Sequence, residues 1–227
     1  LPISKEIKVS VNEVFIPEPN ENEVIIKVMA AAVNPLDILQ LTGSVRLIQD
    51  YRMPLTLGNE CSGIVEKTGN NVKDFRAGDR VYTRLPINRI GAFAEYVAVD
   101  HEALAKMPSG YDFVVAATIP LAGLTAYQGL VEELEVQAEK TLLITGASGS
   151  FGQVAVPIAK SMGLHVIVTG NTRSKDKLLK MGADQYIDYK KENYWEVLSY
   201  VDYVIDTLGS NEFEHELSVL KKGGRLL

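Results

Sequence analysis

The sequence predicts an α/β fold in two parts: a mainly β domain over residues 1–120 and a doubly wound parallel sheet over residues 121–227. Up to about residue 110, short strand-like runs alternate with turn residues, and beyond it strand and helix patterns alternate. A second observation is an apolar strand that runs into a turn of small residues at 146–152. Hydrophobic residues make up 46% of the chain and charged residues 23%, which is typical of a globular protein with a substantial core.

Charge and cysteine content exclude several classes of protein. The net charge is 23 − 29 = −6, whereas a nucleic-acid partner requires a surplus of clustered Lys and Arg. The one cysteine, Cys61, can form neither an internal disulfide nor a four-cysteine zinc site. The sequence has no apolar run long enough to span a bilayer and no signal peptide. We therefore expect a cytoplasmic protein that binds neither nucleic acid nor membrane.

Each part of the chain has its own pattern of elements. In the first part, strands are predicted at Glu23–Val28, Ser62–Lys67 and Arg80–Thr83, with no helix of length. Asp112–Thr118 and Gly123–Glu132 then show helical spacing. The second part predicts strands at Thr141–Thr145, Leu164–Thr169, Gln185–Asp188 and Val201–Asp206, and helices at Gln153–Met162, Ser174–Met181 and Asn211–Leu220.

The end of the sequence bears on the completeness of the second sheet. Gly163 and Gly182 follow two of the predicted helices, where glycine favours a helix C-terminus. Residues 223–227 have the pattern of a fifth strand, whereas a dinucleotide-binding sheet has about six. We therefore expect the chain to be cut short at its C-terminal end.

The turn of small residues predicts a site for a pyrophosphate. Gly146, Ser148, Gly149, Phe151 and Gly152 lie between a strand and a helix. Small residues let the backbone approach the phosphates, and a helix N-terminus offers unpaired N–H groups and partial positive charge. Gly152 would allow close packing of the helix on the strand. The alternative is a tight turn that holds no ligand.

The end of the next strand indicates which dinucleotide binds. NAD enzymes carry an acidic residue there, which binds the ribose 2′-hydroxyl. This strand end has no acid and instead carries Asn171, Arg173 and Lys175, which can donate to a 2′-phosphate. These residues could also form an ordinary solvated surface, but the missing acid together with the basic cluster favours NADPH.

Six blocks of sequence share one family pattern: Ala32–Asp37, Gly58–Val65, Phe75–Val81, Gly91–Tyr96, Pro120–Tyr127 and the turn at Gly146–Gly152. Together they resemble the medium-chain dehydrogenase/reductase superfamily, in particular its zinc-free quinone oxidoreductase and zeta-crystallin branch. The resemblance implies a GroES-like β-barrel domain followed by a Rossmann domain, with the active site in the cleft between them. It also implies a homodimer.

The resemblance assigns roles to individual residues. Asn34 corresponds to an asparagine that approaches the nicotinamide, and Thr125 lies in a motif that borders the cofactor. Tyr189 resembles a tyrosine beside the adenosine phosphate. Asp206 and Thr207 correspond to the strand end that flanks the nicotinamide ribose.

Departures from the zinc enzymes of this superfamily argue against catalytic zinc. Those enzymes have a cysteine in the block that here contains Asn34, and a histidine at the position of Asn59. Asn is a poor zinc ligand, and the three histidines of this chain are scattered. Many quinone reductases also have a tyrosine where this chain reads Ile38–Leu41, a space that Tyr51 could fill.

The resulting hypothesis is hydride transfer from NADPH to a quinone. Asn34 and Asp37 are the candidate catalytic residues, because both could hold polar groups of cofactor or substrate. Glu60 either joins them or forms a buried ion pair with Arg80 or Arg84. Two alternatives stay open: a reductase of conjugated carbonyl compounds (enones, enals or enoyl thioesters), and a protein that binds NADPH without turnover.

Overall fold

A computed structural model describes residues 9–49, 51, 53–209 and 212–227. The chain divides into two compact units, of which the first ends at Leu121 and the second begins at Ala122. This division falls one residue after the boundary that we predict from the sequence. Among the described residues, no helix is both long enough and apolar enough to cross a membrane.

The first unit is built on a five-stranded antiparallel sheet with the order β4-β1-β2-β3-β5. Its strands are β1 (Glu23–Ala31), β2 (Glu60–Thr68), β3 (Arg80–Arg84), β4 (Tyr96–Asp100) and β5 (Leu104–Lys106). Alternate apolar residues such as Val24, Ile26 and Val65 face the core of this unit and are buried. The three predicted strands are confirmed, and each extends beyond its predicted bounds.

The first unit also contains a two-turn helix that the sequence did not predict, α1 (Pro35–Thr42). Pro35 occupies its first turn, and Gly43 ends it in the left-handed conformation with φ of +76°. Its fully buried residues are the polar Asp37 and Gln40, whereas Ile38 is exposed. The helix therefore lacks the apolar periodicity by which an amphipathic helix is predicted. The short helix α2 (Phe113–Ala117) follows later in this unit.

The second unit contains a five-stranded parallel sheet with the order β10-β9-β6-β7-β8. The strands are β6 (Thr141–Thr145), β7 (His165–Gly170), β8 (Gln185–Asp188), β9 (Val201–Asp206) and β10 (Leu220–Leu226). Helix α3 (Pro120–Gln128, extended by a π-helical turn at Gly129–Glu133) begins with the last two residues of the first unit. The helices within the second unit are α4 (Ser150–Ser161), α5 (Lys175–Lys180), α6 (Tyr194–Val197) and α7 (Phe213–Val219). The parallel, doubly wound architecture is confirmed.

Differences from the predicted elements of this unit concern helix starts, one unpredicted helix and the last strand, because Leu220, predicted as the end of a helix, is the first residue of β10. Helix α4 begins at Ser150, three residues before its predicted start, because the small residues of the turn are themselves part of its first turn. The short helix α6 was not predicted. Helix α7 begins at Phe213, and the predicted start at Asn211 lies outside the described residues. Gly163 and Gly182 adopt the left-handed conformation that we expected of helix ends, with φ of +80° and +107°.

Candidate functional site

The topology of the parallel sheet marks one place where a ligand can bind. Strand β6 is central, the chain leaves it for β7 and β8 on one side, and β9 and β10 lie on the other. At such a reversal of strand order, the connections after neighbouring strands diverge and open a crevice at their carboxyl ends. The turn after β6 and the residues after β9 meet at this point. Gly146 and Thr207 are in direct proximity there.

Two glycines of the turn, Gly146 and Gly152, leave no room for a side chain. Gly146 has φ of +62°, and a Cβ atom there would lie 2.6 Å from the Thr207 hydroxyl oxygen. A Cβ atom on Gly152 would lie 2.3 Å from both Cα and the carbonyl oxygen of Ala147. The close approach of α4 to the end of β6 therefore requires glycine at position 152, in agreement with the role that the sequence predicts.

The first turn of α4 keeps its amides available. Gly149 is the N-cap, and no side chain forms a capping hydrogen bond there. The first amides of a helix have no partner within the helix, and they carry partial positive charge. Phe151 is half-buried, and the carbonyl oxygen of Ser148 accepts a hydrogen bond from Gln153 Nε2 at 3.0 Å. The predicted pyrophosphate residues thus form one continuous turn.

Asp206 and Thr207 tie the end of β9 to the end of β6. Thr145 Oγ1 donates to Asp206 Oδ1 at 2.9 Å, and Leu208 N donates to the same oxygen at 2.8 Å. Thr207 Oγ1 donates to the carbonyl oxygen of Thr145 at 2.8 Å. These contacts fix the shape of the crevice beside Gly146.

A basic pocket lies at the tips of β7 and β8. Its volume is about 360 Å³, and it is lined by Asn171, Thr172, Arg173, Tyr189 and Lys190. Asn171 Oδ1 accepts a hydrogen bond from the Arg173 amide at 3.0 Å, which orders the loop. The pocket brings together three residues that the sequence analysis had selected separately, at the ends of two strands.

Lys190 was not predicted from the sequence, and Lys175, which was predicted, is not among the residues that line this pocket. Lys175 is exposed at the first position of α5. Lys190 directly follows Tyr189 after β8, and β8 pairs with β7 in parallel. Because neighbouring parallel strands end at the same edge of a sheet, the pairing of these strands was the signal that could have indicated Lys190.

One carboxylate lies near the pocket and is engaged with its own surroundings. The hydrogen bond from the Thr172 hydroxyl is the main reason that the pKa of Asp188 lies below its usual range. Desolvation opposes this lowering, and the Lys190 amide and the Lys191 charge add to it. Asp188 is buried and does not line the pocket. Its charge is therefore directed towards protein groups, and the pocket presents Arg173 and Lys190.

In the first unit, the predicted residue Asn34 contacts Glu60. Asn34 is 8% exposed and Glu60 is 1% exposed. Asn34 Nδ2 donates to Glu60 Oε1 at 2.8 Å, and the backbone amide of Leu121 donates to Glu60 Oε2 at 2.7 Å. The sequence left two roles open for Glu60, a place beside the candidate catalytic residues or an ion pair with Arg80 or Arg84. Among the described residues, neither arginine lies within 4 Å of the Glu60 carboxylate in an ion pair.

Burial is the main influence on the charge of Glu60. Desolvation raises the pKa of the Glu60 carboxyl, the hydrogen bonds from Leu121 and Asn34 oppose this rise, and the Asp37 charge adds to it. The more distant Arg84 guanidinium acts in the lowering direction. Burial, followed by the Glu60 charge, also raises the pKa of the neighbouring Cys61 thiol to about 12, which leaves this cysteine unreactive at neutral pH.

Asp37, the other candidate catalytic residue, is directed into the protein. Its Oδ2 accepts from the Asn34 backbone amide at 2.7 Å, and its Oδ1 accepts from Asn59 Nδ2 at 2.7 Å. Asn59 and Gln40 exchange two hydrogen bonds of 3.0 Å each, and Gln40 Nε2 donates to Gln49 Oε1 at 2.9 Å. At 2% exposure, Asp37 holds Asn34 in place and has no oxygen without a protein donor.

Three other predicted features have simpler settings. Thr125 is exposed on α3. The Tyr51 hydroxyl donates to the Gln40 carbonyl oxygen, which places this tyrosine against the C-terminal half of α1. No group of three or more His, Cys, Asp or Glu side chains is placed to hold a metal ion in the part of the chain that the structure describes.

A parallel sheet with a glycine turn at its switch point, preceded by an antiparallel β unit, defines the class as a Rossmann-type nucleotide-binding protein with an additional β domain. Two family models agree. One, described as "Alcohol dehydrogenase GroES-like domain", matches residues 20–109. The other, described as "Zinc-binding dehydrogenase", matches residues 151–227.

Individual relatives fall within one superfamily. An Arabidopsis thaliana protein named NADPH-dependent alkenal/one oxidoreductase is 34% identical over 95% of this chain and 57% of its own length. The human quinone oxidoreductase is 32% identical over 95% of this chain and 67% of its own length. The structure of Escherichia coli quinone oxidoreductase complexed with NADPH superimposes with a TM-score of 0.84 and 31% identity, over 95% of this chain and 67% of that one.

The chain belongs to the medium-chain dehydrogenase/reductase superfamily, and its two units are the GroES-like and Rossmann-like domains of that superfamily. The resemblance on which the sequence analysis drew is therefore confirmed. The chain spans 57% of the length of the first curated relatives that it matches.

Proposed function

We propose that the protein is an NADPH-dependent oxidoreductase that transfers a hydride to a quinone without the help of zinc. The observation that carries this proposal is the basic pocket formed by Arg173 and Lys190 at the tip of the second parallel strand. Such a pocket would bind the dianionic 2′-phosphate of NADPH, whereas the acidic residue at the corresponding strand end of NAD enzymes would repel it.

The residues present fit this cofactor at both of its phosphate sites. A Cβ atom at Gly146 or Gly152 would collide with neighbouring protein atoms, so the close packing of this turn requires glycine at both positions, as in the dinucleotide-binding motif. Arg173 and Lys190 would hold the 2′-phosphate, and the amides at the start of α4 would hold the pyrophosphate. When bound, NADPH supplies a hydride at the nicotinamide. The protein contributes binding, orientation and exclusion of water.

Zinc independence is supported by the donor set in the first unit. The block Asn34–Asp37 and Asn59 stand where the resemblance places a cysteine and a histidine in the zinc enzymes, and asparagine is a poor zinc ligand. A quinone needs no Lewis acid to accept a hydride, because its conjugated carbonyls already stabilise the added charge. The cytoplasmic location and the homodimer stay predictions.

A second candidate is the reduction of conjugated carbonyl compounds. The name of the Arabidopsis thaliana relative, which is 34% identical, supports this alternative. The chemistry differs little, because hydride addition to an enone and to a quinone both produce a resonance-stabilised oxyanion. The same residues would serve either substrate.

The cofactor part of the proposal is tested by Arg173→Ala and Lys190→Ala, with Lys175→Ala as the matched control outside the pocket. Because hydrogen bonds to charged groups contribute about 1.5–3 kcal/mol, each pocket variant should weaken NADPH binding by about 10- to 100-fold. The affinity of the pocket variants for NADH, and the affinity of Lys175→Ala for NADPH, should be nearly unchanged. Equal affinity of the wild-type protein for NADPH and NADH would refute the proposal.

The substrate part is tested by a screen of NADPH oxidation, with NADH as control. We expect rapid turnover of 1,4-benzoquinone and 9,10-phenanthrenequinone and slow turnover of crotonyl-CoA. Faster reduction of enones or enals than of quinones would favour the second candidate. Tight NADPH binding with no turnover of any acceptor would favour a binding protein.

A further inference from the structure

The hydroxyl of Thr172 belongs to a residue of the basic pocket and is bonded to a carboxylate outside it. Thr172 is exposed and lines the pocket, whereas Asp188 is buried and does not. Thr172 Oγ1 donates to Asp188 Oδ2. An ionised carboxylate can only accept hydrogen bonds, so the single proton of the hydroxyl is directed to Asp188. The hydroxyl can therefore offer a ligand only the lone pairs of its oxygen.

Two further contacts hold Asp188 in this role. The backbone amide of Lys190 donates to Oδ1 at 3.1 Å, and the Lys191 ammonium lies 3.5 Å from Oδ2. The hydrogen bond from Thr172, supported by these two contacts, lowers the pKa of Asp188, so the carboxylate is ionised at neutral pH. Both of its oxygens are thus engaged by protein donors.

The neighbouring groups of the pocket are donors. The side chains of Arg173 and Lys190 are cations that donate and cannot accept. Asn171 Oδ1 accepts from the Arg173 backbone amide at 3.0 Å, so the NH₂ group of Asn171 is the end that stays able to donate. A dianionic phosphate has acceptors and no donor, and it suits these three residues. It gains nothing from Thr172, whose proton is already used.

We propose that Asp188 makes Thr172 a hydrogen-bond acceptor, and that the pocket therefore recognises a ribose with a phosphate on one carbon and a free hydroxyl on the next. This inference rests on the proposed function, in which the pocket binds the 2′-phosphate of NADPH, and it adds a contact to the 3′-hydroxyl. The phosphate binds to Arg173 and Lys190, and the adjacent hydroxyl donates to Thr172 Oγ1. Asp188 is a positioning residue, because it acts through Thr172.

Two nucleotides that differ in one hydroxyl test this contact by isothermal titration calorimetry. Adenosine 2′-monophosphate carries both groups, and 3′-deoxyadenosine 2′-monophosphate lacks the hydroxyl. The loss of one neutral hydrogen bond should weaken binding of the deoxy nucleotide to the wild-type protein by about 3- to 10-fold. Equal affinity for the two nucleotides would overturn the proposal and leave the proposed function standing. Binding of neither nucleotide would refute the proposed cofactor as well.

Thr172→Val removes the hydroxyl and keeps the shape of the side chain. This variant should bind both nucleotides with the affinity that the wild-type protein has for the deoxy nucleotide. Thr172→Ser is the matched control, because it keeps the hydroxyl and should keep the wild-type ratio of affinities. A general disturbance of the loop would weaken both nucleotides together and leave this ratio unchanged. A Thr172→Val protein that still prefers the nucleotide with the hydroxyl would overturn the proposal.

Asp188→Asn reverses the direction of the hydrogen bond. The new amide must direct its carbonyl oxygen to the backbone amide of Lys190, so its NH₂ group faces Thr172. Thr172 then accepts from this group, and its own proton becomes available to a ligand. Lys191 is exposed and can turn towards the solvent.

The expected effect of Asp188→Asn is a gain for one nucleotide. The deoxy nucleotide should bind at least as tightly as to the wild-type protein, because the released proton can donate to the phosphate and a nearby negative charge is gone. The preference for the nucleotide with the hydroxyl should fall below about twofold. An unchanged preference would overturn the role of Asp188. Tighter binding of adenosine 3′-monophosphate than of the 2′-isomer to the wild-type protein would contradict the proposed placement of the phosphate and the hydroxyl.

Discussion

The close contact between α4 and the end of β6 predicts a large effect of Gly152→Ala. The added Cβ would lie 2.3 Å from Cα and from the carbonyl oxygen of Ala147. Ordinary van der Waals contact begins near 3.4 Å, so the helix and the turn must separate by about 1 Å. Both atoms of Ala147 belong to the backbone, and a rotamer change cannot relieve the contact. The helix or the turn has to move.

The magnitude follows from two opposing contributions. Overpacking of a closely packed site costs about 1–3 kcal/mol, and a backbone collision belongs at the upper end of this range. Alanine is favoured over glycine within a helix by about 1 kcal/mol. The net loss is then about 2 kcal/mol, which corresponds to a decrease in melting temperature of about 4–8 °C for a chain of this size.

Thermal unfolding followed by circular dichroism measures this loss, with Gly149→Ala as the matched control. A Cβ atom on Gly149 would lie 3.6 Å from the nearest atom, the Gly146 carbonyl oxygen, and its φ of −73° suits alanine. We expect the control to lose less than about 1 kcal/mol, because alanine is a poorer N-cap than glycine. A Gly152→Ala protein that melts with the wild type, or above the control, would refute the packing argument.

Three further predictions concern buried and paired ionisable groups. Glu216 is 2% exposed, its Oε1 has no hydrogen-bond partner among the described residues, and burial, Asp206 and Glu212 raise its pKa. The protonated Glu216 carboxyl is compatible with burial, and its contribution to stability is lost as the pH rises and the group ionises. In urea unfolding, Glu216→Gln should therefore stabilise the protein by about 1 kcal/mol at pH 8 and not at pH 4. Desolvation raises the pKa of Asp184, but the hydrogen bond from Lys160 outweighs it, and the pKa is lowered. Asp184→Asn should therefore decrease the free energy of unfolding by about 1 kcal/mol at pH 7. This difference should disappear as the pH falls below the ordinary Asp range. An equal effect at both pH values would contradict either prediction. Cys61 is fully buried, so Ellman's reagent should label no thiol in the native protein at pH 8 and one in guanidinium chloride.

Sequence patterns predicted the second unit well because its elements obey local rules. Strands β6, β8 and β9 begin and end where we predicted. The central strand β6 has the buried apolar run expected of a strand that is covered on both faces. Glycines indicate the helix ends because they readily adopt the left-handed conformation required there, which is a local property of the sequence. The glycine turn could be recognised because its strand and helix are adjacent in the chain.

The first unit was harder to predict because its site depends on buried polar groups from distant segments. Asn34 and Glu60 are 26 residues apart in the chain, and Gln40 and Asn59 are 19 apart. Burial of a polar residue is favourable only when its partners are present, and a single sequence does not show which residues are partners. Helix α1 was missed for the same reason, since its inward face is polar. Lys190 was missed because recognising it required the pairing of β8 with β7.

The amide network around Asn59 connects to Asn34 through the Asp37 carboxylate. Both N–H groups of Asn59 are used, one by Asp37 and one by Gln40, and its oxygen accepts from Gln40. Buried polar groups stabilise a fold when every member is satisfied and destabilise it when one is left unpaired. At a position where the resemblance places a zinc ligand, the side chain is thus fully committed to protein partners. This commitment supports the proposed zinc-independent chemistry, because Asn59 donates to Asp37, and Asp37 in turn accepts from the backbone amide of Asn34, the residue for which the resemblance implies a role at the nicotinamide.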